Sequence, residues 1–204
     1  MSFKLKHYQK TIEKYLDDGY IFSGINSKKD FEKQVAMVHD VDHRIEYSLN
    51  FSKIEKEIGI KSSYFLRLHA KNYNMLSYSS LKIAESILED GHDLGLHYEA
   101  GYCSDKNYEN HIKKELDILS NFLGVEIKTF NIHEPARTGV DIGELLPEFN
   151  RCYNSMFFRD FKYLSDSGCR WREGCFSEHV GKWKKILVLT HPFWWYNETP
   201  SENY

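Results

Sequence analysis

Short apolar runs alternate along this chain with helical stretches, and run after run ends on an aspartate or a histidine. Residues 35–38 lead into His39-Asp40-Val41-Asp42, and residues 93–98 carry His97. Residues 127–132 stop at His133, residues 161–164 lead to Asp166, and residues 186–189 lead to His191. Residues 63–68 form one more β-prone run. Between these runs, apolar residues recur at helical spacing over 7–16, 45–58, 79–88 and 108–123, with Gly59, Gly91 and Gly124 placed to end three of the helices. Alternating strands and helices call for an α/β fold with a mainly parallel sheet. Polar residues at successive strand ends make a shared rim, where barrel-type α/β enzymes assemble their sites.

Composition narrows the class further. At 204 residues, with 41% hydrophobic and 28% charged, residues 1–204 read as one domain, its first 20 residues a helical extension. A net charge of −3 supplies no basic field for nucleic acid. No apolar run approaches the roughly 20 residues of a membrane span. Residues 1–10 lack an apolar signal core, so the expected location is cytoplasmic. Cys103, Cys152, Cys169 and Cys175 show no zinc-finger spacing and read as free thiols of a reducing compartment. Aromatic residues are abundant, and Phe193-Trp194-Trp195-Tyr196 groups four together; such rings pack cores or form walls for sugars.

Asp40 and Asp42 stand two apart, so on a strand they share a face while His39 and Val41 point away. Two converging carboxylates either decorate a turn or divide the work of metal ligand and general base. His97, His133 and His191 each occupy a strand end, as hydrogen-bonded structural residues or as site residues; His92 follows the helix-ending Gly91 and reads as structural.

Taken in order, six segments resemble the polysaccharide deacetylase family, carbohydrate esterase family four, in a branch associated with bacterial surface-glycan gene clusters. They are Val38-His39-Asp40-Val41-Asp42, residues 54–65 (IEKEIGIKSSYF), residues 91–99 (GHDLGLHYE), Phe130-Asn131-Ile132-His133-Glu134-Pro135, residues 163–171 (YLSDSGCRW) and residues 187–195 (LVLTHPFWW). The resemblance implies a distorted, partly open β/α barrel with a divalent metal, usually zinc, acting on an N-acetylated sugar. It implies Asp40 as catalytic base, Asp42 and His97 as metal ligands, His191 as general acid and Asp166 as the acidic residue supporting the site. Asp166, Arg170, Trp171, Trp194 and Trp195 fall within these segments as candidate substrate contacts.

Two departures stand out. Gly101 occupies the place of the family's second metal histidine, and Glu134 replaces an arginine before Pro135. Glu99, Cys103 and His133 are the candidate third ligands. His133 is preferred, because neighbouring strand ends about 4.8 Å apart let two histidines share one ion. Arg137, Arg170 or Arg172 could replace the missing arginine. The expected activity is metal-dependent removal of an acetyl group; the alternatives are a catalytically silent carbohydrate-binding or regulatory protein on the same fold, and a hydrolase of a non-sugar amide.

Overall fold

Residues 34–41 (QVAMVHDV) are buried at every position, which places this strand in the middle of a sheet covered on both faces. In the computed structural model, which describes residues 2–27, 29–139, 146, 150–151 and 160–203, eight strands pair in parallel. They are β1 (Ile21–Ser23), β2 (Gln34–Val41), β3 (Ser63–Leu66), β4 (Asp93–Tyr98), β5 (Thr129–Ile132), β6 (Asn150–Arg151), β7 (Lys162–Ser165) and β8 (Lys185–Thr190). The order across the sheet is β6-β5-β4-β3-β2-β8-β7, with β1 paired to the first residues of β2. The sheet curls into a half-barrel flanked by helices, as the alternation of the sequence requires.

The helices are α1 (Leu5–Asp17), α2 (Ser48–Ile58), α3 (Tyr78–Glu89), α4 (Tyr108–Leu123) and the single turn α5 (Pro135–Thr138). Gly59 ends α2 in the left-handed region at φ +81°, which glycine enters without a Cβ clash. The stretch expected as one helix over 45–58 begins as a 3₁₀ turn, Ile45–Tyr47, and becomes α-helical at Ser48. Within β4, a Cβ on Gly95 would lie 2.7 Å from Phe65 and 2.8 Å from Thr129. Glycine therefore lets β4 fit between its neighbours, two residues before His97.

The helix expected in the extension of residues 1–20 packs into the same core. Tyr8, Ile12 and Tyr15 are wholly buried, and fully burying apolar side chains of this kind is worth about 1.5–3 kcal/mol each. Tyr8 also donates to Glu55 of α2, a buried carboxylate that accepts from Ser62 Oγ at 2.6 Å and Tyr64 Oη at 2.6 Å. His39 Nε2 lies 2.8 Å from the same carboxylate, so His39 faces away from Asp40 and Asp42, as the strand alternation demands. Burial works against the Glu55 charge, but His39 and the surrounding donors hold its pKa at about 2.

β3 stops at Leu66, two residues before its expected end. There the Arg67 amide donates to Tyr73 Oη at 2.8 Å, and the Tyr73 hydroxyl donates to the Val41 carbonyl at 2.9 Å. This departure turns Arg67 onto the rim. Cys103, Cys169 and Cys175 are free thiols, and Cys152 lies outside the described residues. Among the described residues, no helix is long and apolar enough to cross a membrane.

Candidate functional site

The C-terminal ends of β2, β4, β5 and β8 bring Asp40, Asp42, His97, Asn131, His133 and His191 to one place. Parallel pairing sets His97 opposite Asn131, so their side chains stand on the same face of neighbouring strands. Asn131 is fully buried; its Nδ2 donates to Asp40 Oδ1 at 2.6 Å, and its Oδ1 lies 2.5 Å from His97 Nδ1. A carboxylate only accepts, so the amide nitrogen must face Asp40 and the amide oxygen must accept the proton of His97 Nδ1. That assignment leaves His97 Nε2 as the atom turned toward the carboxylates, 3.1 Å from Asp42 Oδ1 and 3.6 Å from Asp40 Oδ2.

His133 is held in the same manner by a different acceptor. Its Nδ1 lies 2.8 Å from Glu99 Oε2, which also receives Arg67 Nη2 at 2.5 Å. Its Nε2 lies 3.6 Å from Asp42 Oδ1. One ligand-type atom from each of Asp42, His97 and His133 falls within 4.8 Å of the others. Asp42 Oδ1 is buried without a hydrogen-bond partner. An orphaned carboxylate oxygen between two imidazole nitrogens, each imidazole braced through its far nitrogen, fits a divalent cation.

The charges reinforce the arrangement. Burial opposes ionisation of Asp42, yet His97, His191 and His133 hold its carboxyl well below the usual carboxylate range. Burial would lower the pKa of His97, but Asp40 and Asp42 outweigh it and raise it. His191 follows the same balance: desolvation is overcome by Asp166, Asp42 and Asp40, and its pKa rises to about 9.

His191 stands 3.6 Å from Asp42 Oδ2 through Nε2, while its Nδ1 lies 2.6 Å from Asp166 Oδ1. Asp166 is wholly buried, and its second oxygen accepts from Trp195 Nε1 at 2.8 Å and from the His191 amide at 3.2 Å. Asp166 therefore orients His191 from behind, and the expectation that it meets substrate is corrected by its burial. Trp171 is likewise 5% exposed, packed against Phe176 in the core, so it forms no open wall. Arg170 is exposed, and its amide donates to the Asp166 carbonyl in the turn after β7. Trp194 is half-buried beside the rim, its ring 5.2 Å from that of Phe193 and 5.7 Å from that of His43.

The departures noted in the sequence have local answers. Gly101 lies in an exposed turn, where a Cβ would stand 3.3 Å from Glu99 Oε1. Glu99, weighed as a third ligand, instead orients His133. Arg137 pairs with Glu134 at 2.6 Å on the surface, and Arg172 is exposed. The arginine at the site is Arg67, with Nη1 3.7 Å from Asp42 Oδ1. Sequence reasoning passed over Arg67 and Asn131, and weighed Trp195 as a sugar wall where it is buried against Asp166. Arg67 is one more polar residue at a strand end, and Asn131 is two residues before His133 on the same strand face, so both carried a legible signal. Nothing local marks Trp195 as the tryptophan that reaches Asp166.

Mainly parallel strands, flanking helices and a polar rim define a curled α/β half-barrel with its candidate site at the C-terminal strand ends. No protein-family model and no curated protein matches the chain. Among solved structures, a mutant of the peptidoglycan deacetylase PdaC from Bacillus subtilis is similar at 12% identity, with a TM-score of 0.56 over 84% of this chain and 80% of that one. The Xyl-CE4 domain of a multidomain xylanase from the hindgut metagenome of Trinervitermes trinervoides is similar at 17% identity and a TM-score of 0.51, covering 78% of this chain and 74% of that one. A CE4 family pseudoenzyme from Bacillus anthracis is similar at 15% identity and a TM-score of 0.51, covering 79% of this chain and 55% of that one. These likenesses establish the fold.

Proposed function

We propose that this chain is a metal-dependent hydrolase that removes an acetyl group from an N-acetylated sugar, in the metabolism of bacterial surface polysaccharide. The observation that carries the reading is the convergence of Asp42, His97 and His133 on one point, with Asp40 and His191 beside it. The solved structures of similar fold that are named as a peptidoglycan deacetylase and a CE4 domain support the choice of substrate class.

Asp42, His97 and His133 would hold the ion, and two imidazoles with one carboxylate suit zinc. A bound divalent metal supplies Lewis acidity, polarising the amide carbonyl and acidifying a water. Asp40 takes a proton from the attacking water as its oxygen adds to the carbonyl carbon, and Asn131 keeps the carboxylate of Asp40 in place. The C–N bond then breaks, and His191 Nε2 delivers a proton to the departing amine. Asp166 holds the other ring nitrogen of His191, which keeps Nε2 aimed at the reacting groups. Trp194, beside Phe193 and His43, offers an aromatic face to the C–H groups of the sugar ring.

The test is acetate release from N-acetylhexosamine conjugates by metal-free protein, with and without added Zn²⁺ or Co²⁺. Asp40→Asn is expected to lower turnover by about 10²–10⁴ while leaving bound metal unchanged. Full activity of this variant would overturn the assignment of the base. The pseudoenzyme of the same fold keeps a second reading in view, a carbohydrate binder without catalysis. Metal and sugar binding with no acetate released would establish that reading.

A further inference from the structure

The loop between β4 and α4 gathers a second group of ligand-type side chains that the deacetylase chemistry leaves unused. The Cys103 thiol is buried, Asp105 is exposed, and His111 projects from the first turns of α4. One ligand-type atom from each lies within 4.8 Å of the others. Cys103 Sγ is 3.3 Å from Asp105 Oδ1, and His111 Nε2 is 3.2 Å from the same oxygen. Zinc bonds of about 2.3 Å to sulfur, 2.0–2.1 Å to imidazole and 2.0–2.2 Å to oxygen give tetrahedral edges of roughly 3.3–3.6 Å. The two observed spacings are close to those edges, and the third, between Cys103 and His111, lies within 4.8 Å.

A separate observation points to a thiolate at this place. The Tyr98 hydroxyl is buried, its residue 1% exposed, and it makes no hydrogen bond of full geometry. It stands beside the Cys103 thiol. A neutral thiol is a poor acceptor, so this contact satisfies the hydroxyl only weakly. A thiolate accepts strongly, and a metal ion is what stabilises a buried thiolate.

We propose that Cys103, Asp105 and His111 form a second divalent-metal site, of zinc type, that clamps the loop after β4 onto the start of α4. Binding forms the metal–sulfur bond and releases the thiol proton to solvent, with no change of oxidation state. Cys103 then accepts from Tyr98, while the exposed Asp105 and half-buried His111 leave the remaining position to water. The soft sulfur ligand selects zinc or cobalt over magnesium and calcium. The clamped loop begins at Glu99, the residue that orients His133, so the second ion steadies the bracing of the first centre.

Cobalt separates the two centres, because Asp42, His97 and His133 contain no sulfur. Metal-free protein in a thiol-free reductant is titrated with Co²⁺, following absorbance and bound metal per chain. The expected result is a sulfur-to-cobalt charge-transfer band in the near ultraviolet, present in wild type and in Asp42→Asn. Cys103→Ser and His111→Ala are expected to lose the band and one bound equivalent each. His111 lies on the partly exposed helix surface, so its variant keeps the test valid where the cysteine variant folds poorly. Absence of the band from wild type, or its full persistence in folded His111→Ala, would overturn the proposal.

Discussion

Asn131 is the residue on which the two halves of the candidate centre depend, and its replacement separates their contributions. One side chain supplies both the donor to Asp40 at 2.6 Å and the acceptor for His97 at 2.5 Å, with no exposure to water. Asn131→Ala leaves a carboxylate oxygen and an imidazole N–H unpaired in a buried setting. Hydrogen bonds to charged groups contribute about 1.5–3 kcal/mol each, so a combined loss of about 3–6 kcal/mol in folding stability is expected. Loss of the brace on a metal-ligating histidine lowers metal affinity by about 10–100-fold, equivalent to about 1.4–2.7 kcal/mol. Asn131→Asp asks a sharper question. A carboxylate there still accepts from His97, but it no longer donates to Asp40 and places like charges together. Metal affinity is therefore expected within about threefold of wild type, while turnover falls by about 10²-fold or more because the base is misplaced or protonated. Isothermal titration with Zn²⁺, acetate release and urea unfolding measure the three quantities on the same preparations. Wild-type metal affinity and turnover in folded Asn131→Ala would refute the bracing argument. Equal loss of metal affinity in Asn131→Asp and Asn131→Ala would refute the division of labour between its two atoms.

Other consequences concern the core and the rim. Glu55, held at about 2 against an ordinary value near 4.5, contributes stability that is fully present above that ordinary value and lost as pH falls toward 2. Tyr8→Phe removes one of its donors, so the acid-unfolding midpoint is expected to move to higher pH; coincident urea midpoints of variant and wild type from pH 7 to 3 would contradict this. Glu115 has the opposite sign: burial, opposed by His111 and strengthened by Glu99, raises its pKa to about 7, so stability is lost as pH rises from about 4.5 to 7. Glu115→Gln is expected to stabilise the protein at pH 8 by up to about 3 kcal/mol and to do little at pH 4.5, as thermal melts at the two pH values would show. Trp194→Ala is expected to raise KM for a sugar amide about 5–10-fold with kcat little changed, from loss of one aromatic contact worth about 1 kcal/mol; an unchanged KM would remove Trp194 from the sugar face.

The order of strands and helices was legible because its signals are local. Compact apolar runs, helical spacing in residues 108–123 and the glycine after residue 58 act within a few residues of where they are read. The short β6 carried no such signal, and β3 ended early because Tyr73 supplies a bond that its own segment does not reveal. The common face of Asp40 and Asp42 was also local, since two residues along a strand restore the same direction. The preference for His133 rested on neighbouring strands, and the register of β4 against β5 is what sets it near His97. The identity of the braces was decided by tertiary structure alone. Arg67 rather than Arg137, Arg170 or Arg172 reaches Asp42, and Trp195 rather than Trp171 reaches Asp166. Sequence determined which residues stand at strand ends, because that depends on backbone periodicity. Only the folded sheet decided which of them touch, because a hydrogen bond between residues 91 apart, such as Asn131 to Asp40, exists only once register and curvature have placed both ends within about 3 Å.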